Sequence, residues 1–175
     1  MPKDIVAQIF GIIGLVIIVL SFQCKKNSLF FLMQGVGSFM FFLNFILIGA
    51  YGGAFFNLAN LFRGLLFMKG DKKKWKLAAV EIAYTVCFAF SIYLSPEPWQ
   101  IFLVALPYSA LIICSVLMWL GNSRHIRYFQ IAYMSPTWIF HNIFNFSLGG
   151  LICECFNMIS SVVFCIRTGK KRTDE

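Results

Sequence analysis

Seven apolar runs follow one another along the chain, with only short connections between them. An α-helix of about 20 apolar residues crosses a hydrocarbon core of about 30 Å. Because backbone groups in lipid must form hydrogen bonds within their own segment, the runs predict helices rather than isolated strands. The pattern therefore predicts an all-α integral membrane protein with seven transmembrane helices, at residues 5–22, 29–50, 53–68, 77–94, 99–120, 128–148 and 149–166.

The composition supports a membrane location. Hydrophobic residues make up 59% of the 175 residues and charged residues 13%, whereas a soluble domain carries about 25% charge. The 21 Phe residues represent more apolar surface than a core of this chain length encloses. We therefore exclude a water-soluble enzyme and expect the lipid bilayer to be the main partner.

Basic residues are concentrated in alternate connections. The connections after the first, third and fifth predicted helices, together with the C-terminal tail, contain 13 of the 15 Lys and Arg residues. The positive-inside rule then predicts an outside N-terminus and a cytoplasmic C-terminus. Topology and anionic lipid headgroups also account for the net charge of +8, so we expect no nucleic-acid partner.

The chain resembles itself at an offset of 97 residues. Matching pairs include Ser38 with Ser135, Gly52 with Gly149, Gly53 with Gly150 and Asn60 with Asn157. This register predicts two copies, 5–68 and 99–168, joined by a linker helix at 77–94 within a single membrane domain, 1–175. One intervening helix gives both copies the same orientation, so the prediction is two parallel three-helix bundles in a 3+1+3 arrangement.

This plan resembles the SWEET sugar transporters and the wider PQ-loop group. The sequence is also similar to the YgjV-type family of bacterial inner membrane proteins, most clearly in HNIFNFSLGGLICE, residues 141–154, and in LIGAYGGAFFNLANLFR, residues 47–63. The resemblance implies a SWEET-like fold in the bacterial inner (plasma) membrane. The chain departs from the PQ-loop group at the end of the first helix, which carries Ser21, Phe22 and Gln23 in place of a Pro-Gln pair.

Polar side chains inside the predicted spans form a candidate substrate-binding site. In two antiparallel helices joined by a glycine-containing turn, residues equally distant from the turn lie at equal depth in the membrane. This rule places four polar side chains in one layer and a further pair one helical turn deeper. An aromatic side chain near the layer is a candidate platform for a solute. The predicted site comprises Asn44, Asn57, His141 and Glu154 in the layer, Asn60 and Asn157 below it, and Trp138 as the platform.

Two interpretations of this polar layer remain open. Asn side chains both donate and accept hydrogen bonds, which suits a hydroxyl-rich or zwitterionic solute, and His141 beside Glu154 would form a proton-sensitive pair. The alternative is that these groups only join helices, through hydrogen bonds that contribute about 0.6 kcal/mol each.

Arg63 and Glu81 lie at similar predicted depths in two antiparallel helices. We interpret them as a structural ion pair that fixes the linker helix to the first bundle. Extension of Arg63 to the cytoplasmic interface and a gate are the alternatives.

The sequence predicts no catalytic residues, no metal site and no cofactor. The six cysteines form no C-x-x-C motif, and no nucleophile with an adjacent base accompanies the intramembrane carboxylate. An enzyme is therefore the least favoured class.

The leading hypothesis is a transporter of a small polar solute, a sugar or similar metabolite, that works by alternating access and is linked to protons through Glu154. The alternative is a non-transporting membrane protein: a receptor, chaperone or assembly partner. Seven helices contain both bundles, so a dimer is not required, and the sequence leaves the oligomeric state open.

Overall fold

The computed structural model describes residues 3–21, 24, 26–121 and 123–173. Phe22, where the first predicted helix ends, and Gln23 lie outside the described residues, as does Lys25 of the first basic connection. The basic residues 170–172 lie in the last helix, and their side chains are outside the described part of the chain.

The described residues are helical almost throughout and include no strand. The elements are α1 (Lys3–Ser21), α2 (Asn27–Leu47), α3 (Tyr51–Phe67), α4 (Lys74–Leu94), α5 (Pro98–Leu120), α6 (Ser123–Phe129), a π-helical segment (Gln130–Met134), α7 (Ser135–Phe144) and α8 (Leu148–Thr173). The segments α6, π and α7 run on without a break, so the described chain forms seven helical rods. The predicted all-α fold is confirmed.

Four helices in the described part of the chain are long and apolar enough to cross a membrane. They contain the segments Ser28–Leu47, Lys74–Leu94, Pro98–Leu120 and Leu148–Arg167, while Ile5–Ser21 is a shorter apolar helix. The prediction of helices long and apolar enough to cross a membrane is therefore confirmed for these four.

The helix ends differ from the predicted span ends. The rod predicted to begin at residue 128 begins at Ser123, and α8 extends to Thr173 beyond the predicted end at residue 166. Apolar runs locate the part of a helix that suits lipid, whereas backbone hydrogen bonds continue into the charged residues beside it.

The π-helical segment precedes Pro136. Proline lacks the N–H that would bond to the carbonyl four residues earlier, and this disturbs the α-helical ladder. The Ser135 N–H bonds instead to the Gln130 carbonyl, five residues earlier. The extra residue in this turn brings the Gln130 Nε2 to 2.8 Å from the Ser135 Oγ, to which it donates.

The rods form a ring of neighbours. Each rod packs against the next along the chain, and α8 packs against α1. Helix α3 also contacts α5 directly, so α4 lies outside this contact. Consistent with an outer position, Ile82, Val86 and Phe90 of α4 are all exposed.

Side-chain contacts define the two ends of the ring. At one end, which we call the basic end, Lys72 in the α3–α4 connection donates from Nζ to the Leu120 carbonyl at 2.9 Å, near the α5–α6 connection. At the opposite end, Gln8 of α1 donates from Nε2 to the Phe146 carbonyl at 2.9 Å, in the α7–α8 connection.

Candidate solute cavity

A cavity of about 470 Å³ lies within the ring. The α1, α2, α3, α5, α6, π, α7 and α8 segments all contribute to its wall, but among the described residues α4 contributes none. The wall extends from Gly121 at the basic end to Phe45, Asn142 and Gly150 near the opposite end. Its polar side chains are Gln34, Ser38, Asn57, Asn60, Arg63, Arg127, Gln130, Asn142, Glu154 and Asn157.

Many lining residues come in pairs separated by the spacing found in the sequence. At an offset of 97 residues the wall contains Phe41 with Trp138, Phe45 with Asn142, Asn57 with Glu154 and Asn60 with Asn157. Residues that are 97 positions apart in the sequence thus line one shared space.

Glu154 is held by donors from three positions. Its Oε2 accepts from the Ser135 Oγ at 2.8 Å and from the Gln130 Nε2 at 3.3 Å. Its Oε1 accepts from the Asn157 Nδ2 at 3.4 Å. The π-helical segment and Ser135 thereby connect the α6–α7 rod to α8 at the cavity wall.

The equivalent side chains of α3 are also held by the protein. Asn57 donates from Nδ2 to the Gly53 carbonyl at 2.8 Å, one helical turn earlier. Asn60 accepts at Oδ1 from the Tyr84 hydroxyl of α4 at 2.5 Å. Both retain polar atoms at the cavity wall.

Five of the seven predicted site residues line this cavity: Asn57, Asn60, Trp138, Glu154 and Asn157. Trp138 is nearly buried, with its ring centroid 6.2 Å from that of Phe45. The two remaining predicted residues, Asn44 and His141, are buried outside the lining.

Asn44 joins three helical segments at the opposite end. Its Nδ2 donates to the Ala7 carbonyl of α1 at 2.7 Å, and its Oδ1 accepts from the Ser147 Oγ, just before α8, at 2.7 Å. The side chain has no exposed surface. The membrane depth of Asn44, counted along the sequence from the turn, therefore did not predict the direction of its side chain.

Glycines complete this closed region. A Cβ atom added to Gly149 would lie 2.5 Å from the Gly11 carbonyl carbon and 2.8 Å from its Cα, so α8 and α1 meet backbone to backbone. We call this group of residues, Gln8, Gly11, Asn44, Ser147 and Gly149, the Asn44 seal.

His141 packs among aromatic rings beside Gly53. Its ring centroid lies 5.3 Å from that of Trp138 and 5.5 Å from that of Phe45. Its Nδ1 is buried and has no hydrogen-bond partner among the described residues. The proton-sensitive contact predicted between His141 and Glu154 is not formed, because the donors to Glu154 are Ser135, Gln130 and Asn157.

The ion pair predicted between Arg63 and Glu81 is not formed either. Among the described residues the only ion pairs within 4.0 Å join Asp71 to Lys73 and to Lys76. Arg63 donates from Nη1 to the Ser115 Oγ of α5 at 3.4 Å and lies 5.9 Å from the centre of the Tyr84 ring. Both Glu81 carboxylate oxygens are buried without a hydrogen-bond partner in the described chain.

Several lining residues were not predicted as site residues. Gln34 and Ser38 lie one turn apart on α2, and Gln34 donates from Nε2 to the Ser21 Oγ at 2.7 Å. The spacing in the sequence provided a signal for them, since Ser38 matches Ser135 at the offset of 97 and Gln34 matches Gln130 when a gap of one residue is allowed. Asn142 gave no such signal, because its equivalent in the first half is Phe45.

Nothing in the described part of the chain forms a group of three or more His, Cys, Asp or Glu side chains able to hold a metal ion. The expectation that the protein uses no metal or cofactor remains a prediction.

These features describe a helical membrane protein with a polar cavity between its helices. The chain matches the family model Imp-YgjV, described as bacterial inner membrane protein, over residues 5–172, and it belongs to this family. Searches among curated proteins and among solved structures gave no match.

Proposed function

We propose that the chain is a transporter of a small polar solute in the bacterial inner membrane. The observation that carries the proposal is a polar cavity whose wall is built from equivalent positions of both chain halves. Its volume of about 470 Å³ lies within the range of sites for small molecules, about 300–1,000 Å³.

The proposal includes the 3+1+3 arrangement with seven transmembrane spans and a SWEET-like plan. The paired lining residues support two equivalent three-helix units, and the absence of α4 from the described cavity wall supports its role as a linker. The N-terminus is proposed to lie outside, since the positive-inside rule assigns the basic end to the cytoplasm.

The two ends of the cavity support alternating access. The wall reaches Gly121 at the basic end, whereas the Asn44 seal closes the opposite end with hydrogen bonds and a backbone contact. We interpret this arrangement as a state that admits solute from the cytoplasm. Transport then requires the seal to open while the basic end closes.

Proton linkage rests on Glu154 alone, because His141 does not contact it. An intramembrane carboxylate is a functional candidate by default. Replacement of Glu154 by Gln is expected to leave the fold intact and to abolish the pH dependence of uptake into proteoliposomes. Unchanged pH dependence would remove proton coupling from the proposal.

Access to the cavity is tested with single cysteines in a Cys-free background. Asn60→Cys and Asn157→Cys, both at the cavity wall, are expected to react with a membrane-impermeant thiol reagent applied from the cytoplasmic side. Asn44→Cys is the matched control, since the same change falls in the sealed region and should stay unreactive. Unreactive cavity positions would contradict the proposed pathway.

The non-transporting alternative makes a different prediction. If the polar residues only join helices, purified protein in proteoliposomes moves no sugar, amino acid, organic acid or nucleoside, and no such solute raises its melting temperature. Uptake of one class, lost in Asn57→Ala, would support the transporter. The proposal includes no catalytic step and no nucleic-acid partner.

A further inference from the structure

The charged residues of the cavity wall are unequal in number. Among the described residues, two guanidinium groups, those of Arg63 and Arg127, and one carboxylate, that of Glu154, line the cavity. The fixed charge of this wall is therefore positive whether Glu154 is ionised or neutral. A site lined mostly by one sign of charge concentrates solutes of the other sign.

Arg63 is held inside the ring rather than extended to the membrane surface. Its Nη1 lies 3.4 Å from the Ser115 Oγ, and its guanidinium lies 5.9 Å from the centre of the Tyr84 ring. Ser115 and Tyr84 are both fully buried. No carboxylate of the described residues lies within 4.0 Å of Arg63, so none of its five N–H donors has an acidic partner among them.

Arg127 brings a second guanidinium to the wall from the other half of the chain. It donates from Nη1 to the Ser161 Oγ at 3.4 Å and lies 5.5 Å from the centre of the Phe164 ring. Neither arginine is repeated: the position equivalent to Arg63 is Ser160, and the position equivalent to Arg127 is Phe30. Each half thus supplies one cation to the cavity.

Glu154 offers little to a cationic solute. Three protein donors already occupy its oxygens, those of Ser135, Gln130 and Asn157. A ligand amine would have to compete with these bonds, whereas a ligand anion would meet the Arg63 guanidinium and the amides of Asn60 and Gln34 at the same wall.

We propose that the solute is a small organic anion that carries a carboxylate or phosphate group, bound by Arg63 together with Arg127. This inference rests on the proposed function, since it assigns the chemical class of the transported solute. A guanidinium presents paired N–H donors that match carboxylate and phosphate oxygens, which an ammonium group does not.

The test compares anions with neutral molecules of similar shape. Melting temperatures of the purified protein in a neutral detergent are measured against succinate and succinamide, and against glycerol 3-phosphate and glycerol. A ligand that binds only the folded state raises the melting temperature. At least one anion is expected to do so, while its neutral partner does not.

Variants then locate the anion. Arg63→Gln should weaken the anion's apparent affinity at least about tenfold, and Arg63→Lys should weaken it less, because the charge remains. Arg124→Gln is the matched control, since Arg124 is exposed and does not line the cavity. If Arg63→Gln does not fold, Arg63→Lys and the comparison of anion with amide on the parent protein decide the question.

Each other outcome has a definite meaning. If neutral solutes bind and anions do not, the anion inference is wrong and the transporter proposal stands. If no solute binds and none is taken up by proteoliposomes, both are wrong. An anion effect that Arg63→Gln retains in full, or stabilisation by phosphatidylglycerol alone, would overturn the anion site.

Discussion

Helices α1 and α8 pack tightly at one end of the helix ring and border the cavity toward the other end. At the opposite end, α1 and α8 approach until Gly149 meets the Gly11 backbone, and Asn44 bonds to both neighbouring segments. Toward the basic end, α1 contributes Ile18 to a cavity, and α8 contributes Glu154 and Asn157. Small residues bring helices together, and larger polar residues further along the same helices leave space between them.

This difference shows how polar groups in a membrane protein serve two roles. In the Asn44 seal every bond of the amide goes to protein, and its surface is fully covered. Asn157, in contrast, makes only long contacts, to Glu154 at 3.4 Å and to the Cys153 Sγ at 3.8 Å. The first kind of residue joins helices, and the second lies at the cavity wall with weaker contacts to the protein.

The largest expected effect follows from the backbone contact in the seal. Gly149→Ala places a methyl group against the Gly11 backbone, so α1 and α8 must move apart, at a cost of about 1–3 kcal/mol of unfolding free energy. The measurement is thermal or denaturant unfolding in detergent.

Gly35→Ala is the matched control for this change. Its added Cβ would approach the end of the Leu61 side chain at 2.9 Å, and the nearest backbone atom would lie at 3.8 Å, an ordinary contact distance. This flexible side chain can move, and alanine favours helix by up to about 1 kcal/mol. Equal losses in both variants would contradict a special closeness at Gly149.

The second prediction compares the same substitution, Asn to Leu, in the Asn44 seal and at the cavity wall. Asn44→Leu leaves the buried Ser147 hydroxyl and Ala7 carbonyl without their partner, at an expected cost of about 1–2 kcal/mol. Asn157→Leu should cost less than about 1 kcal/mol but reduce solute binding and uptake. The reverse ranking of stabilities would show that the cavity, rather than the seal, holds the ring together.

The third prediction concerns the coupling between Arg63 and Glu81. Breaking a buried ion pair costs about 3–5 kcal/mol, but these two side chains form no ion pair within 4.0 Å. A double-mutant cycle of Arg63→Gln and Glu81→Gln, read by unfolding, should therefore give a coupling energy below about 1 kcal/mol. A coupling of about 3 kcal/mol or more would instead support the ion pair predicted from the sequence.

The smallest effect is expected outside the membrane, in the α3–α4 connection. Lys76 donates to the Leu66 carbonyl at 2.9 Å and also to the Asp71 carboxylate, and this hydrogen bond lowers the pKa of Asp71 below its usual value. A carboxyl whose pKa is lowered on folding stabilises the fold above its unfolded pKa of about 4. This stabilisation is lost as the pH falls through the folded pKa.

Asp71→Asn should thus slightly lower the melting temperature at pH 7, and the difference from the parent should shrink as the pH is lowered from 5 toward 3. Lys74→Gln provides the comparison, because it removes the charge of a nearby exposed residue. A difference that does not depend on pH would contradict an electrostatic origin.

Apolar runs were enough to predict the helical architecture of the described chain. They located every helical rod, and depth counting with the repeat led to Asn57, Asn60, Glu154 and Asn157, which share the cavity wall. The reason is that the length of an apolar run and the depth of a residue are both set by the thickness of the bilayer.

The directions of side chains were harder to predict. Depth places Asn44 and His141 beside the other site residues but does not say which neighbour they face. The π-helical segment adds a residue to one turn, which rotates all that follows by about 100°, and no count along the sequence shows it. The predicted pairing of His141 with Glu154 was wrong because the π turn brings Ser135 and Gln130 together. These two side chains, rather than His141, donate hydrogen bonds to the Glu154 carboxylate.

The seal also has a consequence for the synthesis of the protein. The bond between Asn44 and Ser147 joins residues 103 positions apart, and that between Gln8 and Leu148 joins residues 140 apart. At a translation rate of about 5–20 residues per second, the partners of Gln8 and Asn44 emerge roughly 5 to 30 seconds after them. The ring can close only when the last helix has entered the membrane, so a nascent chain that stops before α8 has an open bundle whose buried amides still lack their final partners.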